Sequence, residues 1–267
     1  MSVQVFTAVH CVPKVIKLTL GSWLETYDGT YDVEVHVGLH DNYTDYHKDG
    51  LEEIMAMEGV EFHFVKELDW HAEGLTRYSK MHALSILNMM EAVKDRSFSH
   101  AFLFDHDLLF HQDFIKWVLT NHLEADIVGC LFDDLDAPRK VDGTDDGLFL
   151  TFFQKISVWH MAMSRRCFDN VIANPDAILP ERFGDEVYDT FARGLEWARG
   201  KWGFDVRLLP SAELEKVVGH FGSASMNFGR RFADNYPDKI SMICAMCDER
   251  FPNGIDHLLD KLKGKSR

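Results

Sequence analysis

The sequence lacks the features that mark membrane, secreted and nucleic-acid-binding proteins. It has no uninterrupted apolar stretch as long as a transmembrane helix, and residues 1–15 have neither the basic start nor the apolar block of a signal peptide. Its 28 basic residues stand against 43 acidic ones, a formal net charge of -15, which disfavours binding to nucleic acid or to anionic membranes. We therefore expect a cytoplasmic protein with no nucleic-acid partner and no membrane association.

The sequence also lacks a disulfide framework. It has five cysteines, an odd number, and they are spread along the chain. Cys244 and Cys247 form a C-x-x-C motif, but no second pair at zinc-ribbon spacing accompanies it. We expect reduced thiols in the core or at the surface rather than a metal or redox site.

The first part of the chain alternates strand-like and helix-like patterns. Residues 3–9, 32–39 and 60–65 are β-type runs, whereas residues 15–27 and 50–58 have the spacing or composition of helices. Short β-α-β-α-β connections are typical of a parallel sheet, and they predict a Rossmann-like half. With 46% hydrophobic residues, the chain can bury a sizeable core.

Three residues at strand ends are candidates for nucleotide binding. Ligands of open α/β sheets collect beyond the carboxyl ends of the strands, where Thr7, Val9 and Asp41 are expected to lie. The glycine fingerprint G-x-G-x-x-G of dinucleotide-binding proteins is absent, which disfavours an NAD enzyme.

The predicted helix over Leu75–Val93 opens with cationic side chains. Arg77, Lys80 and His82 fall near its N-terminal end, which carries partial positive charge and prefers anions. A neighbouring diphosphate would explain them, and a solvated helix face with long side chains is the alternative.

Two carboxylates interrupt the most apolar run of the sequence. Residues 101–110 (AFLFDHDLLF) predict one buried strand that carries Asp105 and Asp107. Acids at i and i+2 near the end of a strand can hold a hard divalent cation together with phosphate oxygens. The alternative is a strand that runs into a turn, where Asp is common.

A second acid pair and several further candidates follow. Asp185 and Glu186 open a predicted helix, where acids serve equally well as caps or as catalytic groups. His220 ends the apolar run VVGH and is a candidate third metal ligand. Trp159 and His160 are candidates for lining a sugar or acceptor pocket, with a core position as the alternative for Trp159.

The order of these elements resembles the GT-A glycosyltransferases, especially the large inverting family 2. The resemblance covers about residues 3–222 and includes the D-x-D of Asp105 and Asp107 and the strand GFDVRLLP. It implies that the D-x-D acids bind Mn²⁺ or Mg²⁺ on the donor diphosphate and that His220 completes this metal site. It also implies contacts of Thr7 and Asp41 with the nucleoside, and a catalytic base at Asp185 or Glu186, which stand in reversed order relative to the family's motif.

The resemblance implies a fold and an activity. The expected fold is a single α/β domain with a mixed, mainly parallel sheet flanked by helices. Residues 1–222 would form it, divided into a nucleotide-binding half (1–110) and an acceptor half (111–222), with a helical extension over 223–267. The implied reaction transfers a sugar from a nucleotide-diphosphate sugar, usually a uridine diphosphate sugar, to a hydroxyl of a glycan, a lipid-linked or a small-molecule acceptor. Inversion of the anomeric configuration is expected, and retention is the alternative.

Two other functions remain open at the level of sequence. LFDHDLLF resembles the nucleophile strand of haloacid-dehalogenase-like phosphatases, and GDEVYD over residues 184–189 fits their second acidic motif. However, Leu108-Leu109 replaces the expected Gly-Thr after the second Asp. A non-catalytic protein that binds nucleotide sugars or glycans is the second alternative, and the intact acids at both motifs argue against it.

Overall fold

The computed structural model describes residues 1–9, 13–40, 50–65, 75–132, 155–175, 202–209, 211–220 and 236–263. The strands in these ranges are β1 Ser2–Ala8, β2 Asp32–His40, β3 Val60–Val65, β4 His100–Phe104, β5 Leu108–Phe110, β6 Ile127–Phe132, β7 Lys155–Ser164, β8 Val206–Leu209 and β9 Val218–His220. The helices are α1 Ile16–Thr26, α2 Leu51–Met55, α3 Leu75–Val93, α4 Phe114–Asn121, α5 Arg165–Ala173, α6 Ser211–Leu214, α7 Tyr236–Arg250 and α8 Asp256–Lys263.

A seven-stranded sheet with the order β3-β2-β1-β4-β7-β6-β8 forms the centre of the molecule. Strands β3, β2, β1 and β4 are parallel, and β6 is parallel to β8, whereas β7 runs antiparallel to both of its neighbours. The prediction of a mixed, mainly parallel sheet flanked by helices is confirmed. The parallel β1–β3 unit brings the carboxyl ends of its strands to one edge of the sheet, where β4 also ends.

The prediction of one continuous strand over residues 101–110 is wrong. β4 ends at Phe104, the chain turns through Asp105–Asp107, and β5 pairs with β9 in a separate two-stranded sheet. The residues on both sides of the turn are apolar and largely buried, so hydrophobicity alone does not reveal the break. β5 bonds instead to β9 and, through two backbone N–H groups, to side chains of α1.

Alternate residues of the strands pack on opposite faces of the sheet. On one face Val35 and Val37 join the core cluster that includes α1 and α4, and on the other face Phe6 joins the cluster of α3 and α5. Helix α3 lies directly on β2, because a Cβ atom on Gly38 would stand 2.1 Å from Oγ of Ser85. Only glycine permits this approach.

The C-terminal helices pack against the N-terminal helix. Ile243 of α7, Phe251 and Leu259 of α8 belong to the same core cluster as α1. A Cβ atom on Gly21 of α1 would stand 2.5 Å from the ring of Phe251, so the ring lies on the backbone of α1. Lys261 also donates hydrogen bonds to the carbonyl oxygens at the end of α1. Residues 236–263 therefore contribute to the core of the sheet domain.

The described cysteines match the expectation of reduced thiols. Cys167 and Cys247 are buried and in no disulfide, and burial raises the pKa of the Cys247 thiol to about 12. Among the helices of the described ranges, none has both the length and the apolar character that crossing a bilayer requires.

Truncation of Phe251 tests the attachment of the C-terminal helices. Phe251 is 3% exposed and fills the space over Gly21, so Phe251→Ala should lower the free energy of unfolding by about 3–5 kcal/mol. The matched control is Phe64→Ala, because Phe64 is 48% exposed and its loss should change stability by about 0.5 kcal/mol or less. Chemical denaturation measures both. Equal losses for the two variants would contradict the packing of Phe251 on α1.

Candidate functional site

Two carboxylates lie in the turn between β4 and β5. The side chain of Asp107 is fully buried and Asp105 is 8% exposed. Burying two acids within three residues is costly unless positive charge or hydrogen-bond donors offset their charge. Carboxylate oxygens are the ligands that hard divalent cations prefer, so this turn has the chemistry of a magnesium or manganese site.

Hydroxyl groups of α1 hold this turn in place. Oγ1 of Thr19 accepts the backbone N–H of Leu108 at 2.9 Å and donates its proton toward the carbonyl oxygens of Leu108 at 3.2 Å and of Asp105 at 3.4 Å. Oγ of Ser22 accepts the N–H of Phe110 at 3.0 Å. Thr19 and Ser22 are fully buried in the structure. In the sequence, the one signal for this role is the presence of two hydroxyl residues within an apolar helical stretch.

Histidines connect the turn to two neighbouring elements. Nε2 of His82 in α3 lies 3.3 Å from Oδ1 of Asp105. Nδ1 of His106 lies 3.2 Å from the carbonyl oxygen of Ala8 at the end of β1, which this nitrogen reaches as a donor. The sequence places His82 near the start of a helix, but its contact with Asp105 requires the packing of α3 on the sheet.

The short sheet β5–β9 brings His220 to the acid turn. Leu108 pairs with His220 and Phe110 pairs with Val218, and the N–H of His111 extends the pairing to the carbonyl oxygen of Val217 at 2.8 Å. The backbone of His220 is thus opposite the residue that follows Asp107. The His220 side chain lies outside the described residues.

The end of β1 supplies two of the predicted nucleotide contacts. Thr7 and Val9 are buried, and the N–H of Val9 donates to the carbonyl oxygen of Gly38 at 2.9 Å. Oγ1 of Thr7 makes no hydrogen bond within the described part of the chain, although it is buried. Asp41 follows β2 directly but lies outside the described residues.

The remaining predicted site residues are described in part or not at all. Arg77 and Lys80 are in the first turns of α3, ahead of His82, and their side chains lie outside the described residues. Asp185 and Glu186 lie outside the described ranges altogether, as does the side chain of Trp159. His160 of β7 is buried, and its ring meets the ring of Phe114 edge-on at 5.6 Å between centroids.

Comparison with solved structures identifies the architecture. The chain is similar to a galactosyltransferase, LgtC, solved with donor and acceptor sugar analogues, and to an active-site mutant of LgtC. In both comparisons the TM-score is 0.56 and the sequence identity is 10%, and the match covers 92% of this chain and 96% of the other. The chain has the GT-A fold. No protein-family model and no curated protein sequence matches it.

The acid turn lies at a defined position within the GT-A fold. Asp105 and Asp107 are at the carboxyl end of β4, a central strand, and the ends of β1 and β9 lie beside them. The sequence identity of 10% carries no residue-by-residue correspondence, so the roles of these side chains rest on their own geometry and chemistry.

A second group of ligand-type side chains lies on the sheet itself. His36 of β2 and Glu61 and His63 of β3 bring their ligand atoms within 4.8 Å of one another. Burial lowers the pKa of His36 to about 4 and also lowers the pKa of His63, so burial favours the neutral form of both imidazoles. Partial burial opposes ionisation of Glu61, but the hydrogen bond from Arg96 helps to outweigh it, and the pKa of Glu61 lies below its usual range.

Replacement of Thr19 tests the support of the acid turn. Thr19→Val keeps the shape of the side chain but leaves the N–H of Leu108 without its partner, so the free energy of unfolding should fall by about 1–3 kcal/mol. Thr26→Val is the control, because within the described residues the Thr26 hydroxyl bonds only to a carbonyl oxygen of its own helix, and the free energy of unfolding should change by about 0.5 kcal/mol or less. Thermal and chemical unfolding check both values. An unchanged stability of the Thr19 variant would refute the bond to the turn.

Proposed function

We propose that the protein is a metal-dependent glycosyltransferase of the hexosyltransferase type. It transfers a sugar from a nucleotide-diphosphate sugar, with uridine diphosphate as the nucleotide, to a hydroxyl of a glycan, lipid-linked or small-molecule acceptor. The observation that carries this proposal is the buried pair Asp105 and Asp107 at the carboxyl end of β4 in a GT-A fold. The likeness of the motif order to the inverting family 2 supports inversion in a single displacement.

The residues around the acid turn fit a divalent cation. Asp105 and Asp107 offer oxygen ligands, and the backbone of His220 runs beside them through the β5–β9 pairing. We assign Mn²⁺ or Mg²⁺ to Asp105, Asp107 and His220. When bound, the cation supplies positive charge that offsets the negative charge growing on the departing diphosphate.

Other residues orient the donor. The buried hydroxyl of Thr7, which has no partner in the described part of the chain, is available to a nucleoside at the end of β1, next to Val9. Asp41 would contact the ribose and base from the end of β2. Arg77 and Lys80 lie near the N-terminal end of α3, and we assign these two cations to the donor diphosphate.

A carboxylate from the second acid pair completes the reaction. Glu186 or Asp185 accepts the proton of the acceptor hydroxyl as its oxygen attacks the anomeric carbon, while the bond from that carbon to the diphosphate oxygen breaks. The hydroxyl proton goes to the carboxylate, and the electron pair of the broken bond leaves with the nucleoside diphosphate. A one-step displacement of this kind inverts the anomeric configuration.

Asp107→Asn tests the cation-binding acids. Consumption of uridine diphosphate sugars in the presence of Mn²⁺ should fall by about 100-fold or more, because the variant loses a charged ligand. Asp113→Asn is the matched control: Asp113 is equally a buried acid, but it caps α4 through a bond from the N–H of Lys116, and asparagine caps a helix as well. The control should retain full turnover.

The same assays discriminate the alternative functions. If the natural protein neither consumes nor binds any nucleotide sugar with Mn²⁺ or Mg²⁺, the transferase proposal is wrong. Hydrolysis of simple phosphate monoesters would instead support the phosphatase alternative. If nucleotide sugars bind but no acceptor supports their turnover, the protein is a non-catalytic binding protein.

Paired amide variants identify the base. One of Glu186→Gln and Asp185→Asn should lower kcat by about 10²–10⁴-fold, the range expected for the loss of a general base. The dissociation constant for the donor, measured by calorimetry, should stay within about threefold, because the base contacts the acceptor rather than the donor. If both variants keep full kcat, neither residue is the base.

A further inference from the structure

The cluster of His36, Glu61 and His63 lies apart from the acid turn, in the interior of strands β2 and β3. Successive side chains of each strand point to opposite faces of the sheet. Val35 and Phe62 are on the face that packs against α1, and the cluster is on the opposite face, toward α3. His36 and Glu61 are direct neighbours in the parallel register. Three ligand-type side chains therefore meet on one face of the sheet.

The spacing of the ligand atoms is compatible with a tetrahedral metal site. Nδ1 of His36 lies 3.1 Å from Nε2 of His63 and 3.6 Å from Oε2 of Glu61, and Nε2 of His63 lies 3.7 Å from Oε1 of Glu61. Metal–nitrogen and metal–oxygen bonds of about 2.0–2.1 Å require ligand atoms about 3.3 Å apart at the edges of a tetrahedron. Each distance is near that value, but the two distances to Glu61 involve the two different oxygens of its carboxylate. One ligand atom of each of the three residues lies within 4.8 Å of the other two, so a rotation of the exposed Glu61 carboxylate would bring one oxygen toward both nitrogens.

Neighbouring side chains orient the ligands. Nε2 of His36 lies 2.7 Å from Oε1 of Gln4, which can only accept, so the proton of His36 is on Nε2 and the lone pair of Nδ1 points to the cluster. Nη2 of Arg96 donates to Oε2 of Glu61 at 2.7 Å and leaves Oε1 toward His63. Hydrogen bonds of this kind, behind the ligands, are characteristic of metal sites.

The cluster is reachable from solvent on one side. The side chain of His36 is fully buried and that of His63 is 9% exposed, whereas that of Glu61 is 44% exposed. An ion can therefore enter past Glu61, and water can fill a fourth position there. Arg96, held between Glu34 and Glu61, is the cationic side chain beside this entry.

We propose that His36, His63 and Glu61 form a binding site for a divalent transition-metal ion such as Zn²⁺, which links β2 to β3. Two imidazoles and one carboxylate favour zinc and its neighbours in the first transition series over Mg²⁺ or Ca²⁺. The site is separate in chemistry from the Asp105 and Asp107 turn, and it does not depend on the proposed transferase activity.

Titration with Co²⁺, a spectroscopic substitute for Zn²⁺, tests the proposal. One equivalent of Co²⁺ should give the intense visible absorption of four-coordinate cobalt, whatever further Co²⁺ binds at the acid turn, and Zn²⁺ should displace this equivalent. His63→Asn and Glu61→Gln should bind at least tenfold more weakly and lose this absorption. His100→Asn is the control, because His100 is also buried and bonds only to a carbonyl oxygen in the described part of the chain.

The outcomes separate this site from the acid turn. Asp107→Asn should keep the cobalt absorption, and Zn²⁺ should raise the thermal midpoint of Asp107→Asn but not that of the double variant Asp107→Asn with His63→Asn. If neither Co²⁺ nor Zn²⁺ binds at one equivalent, or if His63→Asn retains the absorption, the three side chains form only a hydrogen-bonded network and the proposal fails.

Discussion

The site depends on keeping two carboxylates buried in a fixed turn. A three-residue link between two strands of different sheets has few backbone hydrogen bonds of its own, so its shape must come from outside. Thr19 and Ser22 provide this support from α1, and β9 provides it from the other side. The packing of the core therefore fixes the position of the acids. α1 is apolar around these two hydroxyl groups, and it cannot shift without disrupting the packing of the core.

Much of the fold could be predicted from the sequence because its local patterns are strong. The strand Val60–Val65 and the helix Leu75–Val93 have the bounds that their patterns indicate. The apolar pattern alone does not decide between one strand over residues 101–110 and a turn at the two Asp residues, which was the alternative at the level of sequence and is the arrangement observed. The two hydroxyl groups that bond to the chain after the turn are far away in the sequence. Hydrophobic periodicity reports burial and does not report which sheet a strand joins.

The sequence indicates which residues have the chemistry of the site, but it does not indicate most of the contacts between them. An acid pair at the end of a buried strand has a chemical signature that the sequence carries by itself, whereas the contact between His82 and Asp105 needs the approach of α3 over Gly38. The same helix leads to Arg96, which bonds to Glu61 on β3. His36 and His63 look like ordinary polar positions of half-exposed strands until the register of β2 and β3 places them together.

The packing of the C-terminal helices on α1 bears on how the chain acquires its structure during synthesis. Lys261 and Leu24, which are hydrogen-bonded in the native structure, are 237 positions apart in the sequence. At about 5–20 residues per second, roughly 10–50 s separate the emergence of α1 from that of its partner. During this interval the apolar surface of α1 that α7 and α8 later cover is exposed, so the nascent chain is a natural client for chaperones that bind apolar segments.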